Sequence, residues 1–227
     1  MKFPGSAMAL PWLVAVELLL YGGCFICGII AASSVTVTQG EFSGQCVLYG
    51  SFQYNASAGA FTVSSSSSNS LCYFVSAISV LVAIYCFSLV LYWIYASCVD
   101  EVKRESPWMT VSLAVCAVFL FFLLVTGCIL RIGRDRLCQS ALKDSGIHSC
   151  QEAEGKNWAS PYTGQHFYSN LHTAETSVWV NFFLWVLVLA LLVIQKKRGS
   201  EFSPLSAGDP EWSTSEADPI FPRPSRS

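Results

Sequence analysis

The stretch VTVTQGEFSGQCVLYGSFQYNASAGAFTVSSSSSNSL, residues 35–71, decides how the chain is organised. It lies between two long apolar runs and contains no Lys or Arg. It carries Cys46, the sequon Asn55-Ala56-Ser57 and the serine tract Ser64 to Ser68. Disulfide and N-glycan chemistry both belong to the secretory side of a membrane. Placing this stretch on that side fixes the direction of every other segment.

The chain has 227 residues, 53% of them hydrophobic and 12% charged. A soluble domain averages about 25% charged residues. With a mean hydropathy of +0.48, the composition points to a chain that uses lipid as solvent. The net charge of -2, and the lack of a basic run interleaved with aromatics, point away from a nucleic-acid partner.

A transmembrane helix needs about 20 predominantly apolar residues. Four runs meet that need: 11–34, 72–98, 109–130 and 178–194. None alternates with period two, which favours helices over barrel strands. The first run could instead be a signal peptide, since Lys2 precedes it and Ala31, Ala32 and Ser33 end it, but its length favours an uncleaved anchor. The expected fold is therefore an all-α membrane protein with four transmembrane helices. Its order is a cytosolic N-terminus (1–10), outer loop 1 (35–71), a cytosolic loop (99–108), outer loop 2 (131–177) and a disordered cytosolic tail (195–227).

With both termini cytosolic, eight of the Lys and Arg residues fall inside and five outside. This is the expected bias. Arg131, Arg134 and Arg136, directly after the third span, run against it. The unbroken absence of Lys and Arg from outer loop 1 and the triplet Lys196-Lys197-Arg198 decide the orientation. The short inner loop predicts a tight hairpin of spans two and three, with Ser106 as N-cap and Pro107 as first helical residue. Trp12, Trp93, Trp108 and Trp179 lie near span ends, as an interfacial aromatic belt requires, whereas Trp185 is mid-span and reads as helix packing.

Four of the ten cysteines, Cys46, Cys72, Cys138 and Cys150, fall in or beside the outer loops. They allow three pairings. The simplest joins Cys46 to Cys72 and Cys138 to Cys150; the crossed alternatives would tie the loops together. At least one bridge is expected, giving a small disulfide-stapled cap. A zinc site from Cys138, His148 and Cys150 lacks the usual paired spacing. Cys24-Phe25-Ile26-Cys27 has redox-motif spacing but lies mid-span. It fits better within small-residue stripes, Gly23/Cys27/Ala31 and Cys24/Gly28/Ala32, that let helices approach closely. Cys98, at the cytosolic end of span two, is a palmitoylation candidate.

Glu17 and Asn181 are the polar residues of interest within the apolar runs. An intramembrane ionisable group is a functional candidate. Glu17 lies about 9 Å along the helix from Pro11, so its head is expected to reach the cytosolic interface, with Lys2 or Lys103 as counter-ion. Asn181 belongs near the outer end of span four, so the two should not meet. His166 and His172 have the wrong spacing to share a metal on a helix face, and their aromatic neighbours suggest an interfacial segment. In the tail, the segment EFSPL (201–205) approaches an acidic dileucine signal. Ser213 and Ser215 each precede an acid by three residues and are phosphorylation candidates. There is no nucleophile elbow, phosphate loop or His-Glu-x-x-His motif. The expectation is a protein that is not an enzyme and needs no cofactor.

Several segments carry a resemblance in matching order: TQGEFSGQCVLYG (38–50), LCYFV (71–75), WIYASC (93–98), CILR (128–131), FYSNLHTAETS (167–177) and GDPEW (208–212). Together they resemble the transmembrane protein 179 family, especially its B member. The resemblance implies a four-span integral membrane protein and brings no reaction, substrate or catalytic residue. Tetraspanins differ in placing a Cys-Cys-Gly motif in outer loop 2. Claudins differ in carrying a Trp in outer loop 1, which this loop lacks. The expected role is an organising or trafficking protein of the secretory pathway, vesicles or plasma membrane. Its partners would be the lipid bilayer and other membrane proteins through helix packing; the sequence leaves a small-molecule ligand open. The alternative is a channel or transporter subunit that acts as an oligomer.

Overall fold

The computed structural model describes residues 5–98, 106–143 and 146–206. Four long helices make up most of it: α1 (Gly5–Glu41), α2 (Asn69–Cys98), α3 (Ser106–Lys143) and α4 (Phe167–Ser206). All four are long and apolar enough to cross a membrane. Leu19, Phe121 and Phe183 are more than half exposed, as side chains facing lipid would be.

α1 packs along α2 and α4, and α3 packs along α4. Small residues set the close approaches. A Cβ on Gly28 would stand 2.8 Å from the Ser79 carbonyl oxygen of α2, and one on Gly23 would stand 3.1 Å from Leu184 of α4. The stripes read from the sequence therefore lie at real helix contacts. The tight α2–α3 hairpin does not form. These two helices meet more sparsely, through Tyr85 on Phe119 (5.2 Å between ring centroids) and Phe74 on Phe122 (6.3 Å). Bulky rings at that seam hold the backbones apart where glycine and alanine would let them close. Trp185 closes the centre. Fully buried on α4, it meets Tyr21 of α1, Tyr85 of α2 and Phe119 of α3 at 5.1 to 6.2 Å.

Three helices run past the expected spans. α1 continues to Glu41 and ends where Gly44, at φ +80, donates its N–H to the Gln39 carbonyl, a left-handed helix stop. α3 continues to Lys143, keeping Leu130, Leu137 and Ala141 buried along one face. α4 continues to Ser206, so the start of the stretch expected to be a disordered tail is helical; Gln195, Lys196 and Lys197 are good helix formers. The remainder of that tail, 207–227, lies outside the described residues.

Outer loop 1 is the departure from an all-helical plan. Within a mostly helical chain it forms an antiparallel hairpin of β1 (Cys46–Asn55) and β2 (Ala60–Ser67). The turn accepts two N–H groups at the Asn55 carbonyl, from Ala58 and Gly59, and Gly59 takes the positive φ. A bulge between Cys46 and Ser51 places Tyr49 at positive φ and brings Gly50 against β2, where a Cβ would stand 2.6 Å from the Ser65 carbonyl. The serine tract becomes a strand because β1 supplies its partners. The Ser51 and Ser65 hydroxyls share a hydrogen bond of 2.8 Å, and the Ser67 hydroxyl donates to the carbonyls of Cys46 and Leu48.

Candidate functional site

The two outer loops and the upper ends of α3 and α4 build one cap. Its core is aromatic. Phe42 lies within 6.1 Å of the rings of Phe52, Trp158, Tyr162 and Phe167. Phe61 packs on Trp158 at 5.3 Å. Backbone pairing joins the loops as well: Phe61 donates to the Asn157 carbonyl and Ala159 donates to the Phe61 carbonyl. Residues 157–159 thus make an isolated parallel bridge to β2 at Phe61.

Both disulfides are local. Cys46 bonds Cys72 and Cys138 bonds Cys150, with Cα separations of 5.8 and 5.4 Å. The first ties β1 to the first turn of α2; the second ties α3 to the 3₁₀ turn Cys150–Gly155. The crossed pairings are thereby removed. So is the zinc alternative, since Cys138 and Cys150 have no thiolate to offer. Among the described residues no group of His, Cys, Asp and Glu could hold a metal.

An ion-pair network, not read from the sequence, joins α3 to α4 below this cap. Arg134 pairs with Glu175 and with Asp135, and Arg131 reaches Glu175 at 3.3 Å and Asp135 at 3.2 Å. Arg134 also hydrogen-bonds His172 Nδ1 at 3.4 Å and stands over the Tyr168 ring. Two of the three arginines that oppose the charge bias, Arg131 and Arg134, thus have structural partners. The i,i+4 spacing of Arg131 and Asp135 was the available sequence signal. The segment around His172 forms the first turns of α4, with Phe167 and Leu171 buried in the protein.

On the outer surface, the 3₁₀ turn and residues 156–166 border an open cleft of about 840 Å3. Trp158, Tyr162, Gln151, Asn157, Gln165 and Lys156 line it. Glu154 closes its base, accepting hydrogen bonds from the backbone N–H and hydroxyl of Ser169 in the first turn of α4. Beside it, Glu41 accepts from the His166 backbone N–H; burial raises its carboxyl above the usual carboxylate range, and that hydrogen bond opposes the rise.

Asn55 is exposed at the end of β1, and its Oδ1 accepts hydrogen bonds from the Ser57 N–H (3.1 Å) and hydroxyl (2.6 Å). Cys98 is the last residue of α2. Ser213 and Ser215 lie outside the described residues. Glu17 is enclosed by protein. It is 3% exposed and accepts a hydrogen bond from Gln195 Nε2 of α4, because α4 runs far enough to flank it. Lys2 and Lys103, its expected counter-ions, lie outside the described residues. Asn181 is also buried and donates to the Cys24 carbonyl at 3.4 Å. Cys24 stands seven residues from Glu17, about 10 Å along α1, so the two polar positions are separate levels of the bundle.

The family described as "Transmembrane protein 179/179B Claudin domain" matches residues 13–221. The chain is 58% identical to Transmembrane protein 179B of Danio rerio, over 96% of this chain and 100% of the relative. It is 48% and 45% identical to the proteins of that name from Homo sapiens and Mus musculus, each over 94% of this chain and 96% of the relative. No solved structure matches significantly. The claudin wording corrects the separation drawn from the missing loop-1 tryptophan. Here outer loop 1 forms a disulfide-stapled hairpin, and the tryptophan against it, Trp158, comes from outer loop 2. The chain belongs to the transmembrane protein 179/179B family of integral, multi-pass membrane proteins.

Proposed function

We propose that this protein is a non-catalytic organiser or trafficking partner in the membranes of the secretory pathway, vesicles or cell surface. Both termini would be cytosolic and the cap would face outward. The observation that carries the reading is an apolar groove of about 500 Å3 between α1 and α2, open to the lipid side. Phe25, Ile29 and Phe87 form its walls, and Ala32, Ser33 and Ala83 lie among them. Small residues in a lipid-facing groove allow a neighbouring helix to approach closely, which is the usual basis of lateral association in membranes.

The orientation is supported by two disulfides at one end of the bundle, which an oxidising compartment favours. It is supported too by the network that gives Arg131 and Arg134 a structural place beneath the cap. Palmitoylation of Cys98 and phosphorylation of Ser213 and Ser215 would act on the cytosolic side. Each phosphate would add about 1.5 to 2 negative charges.

The test is a photo-crosslinking residue placed at Ser33 and, as a control, at Phe121 on the lipid-facing side of α3. Groove adducts with discrete membrane proteins, absent from the control, are expected. The same adducts at both positions would remove the groove from the argument. The second reading, an oligomeric channel or transporter subunit, has the burial of Glu17 in its favour. It would replace the first if proteoliposomes showed a flux that Glu17→Gln abolished.

A further inference from the structure

We propose that the outer cleft between the 3₁₀ turn and residues 156–166 binds carbohydrate, as a neutral, hydroxyl-rich glycan. This rests on the outward orientation proposed above. Its volume of about 840 Å3 falls within the range of about 300–1,000 Å3 typical of ligand sites. Its chemistry is selective. Tyr162 offers ring surface for the apolar face of a sugar ring, and the half-buried Trp158 closes the wall beside it. The amides of Gln151, Asn157 and Gln165 each offer a donor and an acceptor, which suits hydroxyl pairs. Lys156 and the imidazole of His166 are the basic groups of the lining, and the Glu154 carboxylate, engaged by Ser169, offsets one of them. A phosphate or carboxylate ligand would find too little positive charge there.

The site is also held in shape before any ligand arrives. Trp158 is fixed among Phe42, Phe52, Phe61 and Phe167, and its Nε1–H donates to the Ala153 carbonyl at 3.2 Å. The loop lies directly on this ring at Gly164, where a Cβ would stand 2.4 Å from the indole. Pre-organisation of this kind lowers the entropy lost on binding.

One source of glycan is close by. Asn55 pairs with Ala60 on β2, and the adjoining Phe61 is bonded to Asn157. Two strand spacings, about 10 Å, therefore separate the sequon from the cleft margin. A glycan on Asn55 could fold into the cleft, or the cleft could take a glycan carried by another molecule. The ligand chemistry is the same.

The full chain, made in glycosylating cells and reconstituted in nanodiscs to avoid sugar-headed detergents, separates these cases. The probe is the free pentasaccharide of three mannoses and two N-acetylglucosamines, titrated by saturation-transfer NMR. The proteins are wild type, Asn55→Gln, and Asn55→Gln carrying Asn157→Ala with Gln165→Ala. Saturable binding to Asn55→Gln is expected, weakened about tenfold by the cleft pair at unchanged Tm, as loss of two hydrogen bonds implies. Binding that wild type lacks and Asn55→Gln gains assigns the site to the chain's own glycan; equal binding assigns it to glycans from outside. No saturable binding to either protein, or binding the cleft pair leaves intact, overturns the proposal. Mass spectrometry of the Asn55 peptide tests the orientation separately: an unmodified Asn55 would count against that reading while the titration still reports on the cleft.

Discussion

Arg134 on α3 and Glu175 on α4 are ion-paired where both helices rise out of the bundle into the cap, each with a side chain only 7% exposed. Removing Arg134 leaves Glu175 with the more exposed Arg131, and removing Glu175 leaves Arg134 with Asp135, so the loss should approach but not exceed the ~3–5 kcal/mol of a broken buried pair. Replacing both by apolar residues of similar size avoids that cost. Glu175→Gln or Arg134→Met should therefore lower the Tm of the purified protein sharply, and Arg134→Met with Glu175→Leu should recover much of the loss. A double variant as unstable as the worse single one would show that other contacts, such as Arg134 with His172, dominate.

The membrane plan was legible because hydropathy and charge are local properties. Runs such as 72–98 and 109–130 declare themselves without reference to their neighbours. The disulfide partners were also within reach, since each pair closes a short loop. The serine tract was not legible as a strand. Serine has no strong strand preference, and it is Cys46 and Ser51 across the hairpin that hold Ser65 and Ser67 extended. Neither was the packing of α2 against α1 instead of α3, which depends on Gly28 meeting Ser79 and Ala83. Burial of Glu17 depended on the length of α4, a helix whose apolar run ends before Gln195.

Gly28 should tolerate no branched side chain. Its missing Cβ faces the Ser79 carbonyl at 2.8 Å and Ala83 Cβ at 3.1 Å, and the first of these is backbone that cannot rotate away. Gly28→Val should cost about 1–3 kcal/mol by forcing α1 from α2. Gly22→Val, where a Cβ meets nothing within 4 Å, is the matched control on the same helix. Equal losses of Tm in the two would mean that the close approach does not matter.

The disulfides should differ in worth. In the chain-entropy account, a closed loop of 26 residues stabilises by about 3.5 kcal/mol and one of 12 by about 3 kcal/mol. Paired replacement of Cys46 and Cys72 by alanine should therefore destabilise at least as much as replacement of Cys138 and Cys150. The first pair also anchors the hairpin, so its loss should expose the 46–67 segment to added protease before the helices melt. Greater sensitivity in the Cys138/Cys150 variant would reverse this order.

Asn55 should carry a glycan, since it is exposed at a turn and already engaged by the Ser57 hydroxyl. Asn55→Gln and Ser57→Ala should each abolish one shift in gel mobility and leave the other properties of the protein intact. An epitope at the C-terminus should be reached by antibody only after cells are permeabilised. An unshifted wild type together with a tail labelled on intact cells would reverse the orientation of all four spans.

Glu17 distinguishes packing from transport. Its carboxylate meets Gln195 of α4 inside the bundle, so its first consequence is structural: it joins α1 to α4 at a level where α4 has left its most apolar stretch. Glu17→Gln preserves shape and hydrogen-bonding capacity, whereas Glu17→Leu leaves the Gln195 amide without that acceptor, at a cost of about 1–3 kcal/mol. If the role is structural, thermal melting should be nearly unchanged in Glu17→Gln and clearly lower in Glu17→Leu, with crosslinking at Ser33 retained in the former. A carboxylate that carried ions or protons would give another pattern. Glu17→Gln would then fold normally yet lose a flux measurable in the wild type, because an amide keeps the hydrogen bonds and loses the titratable charge.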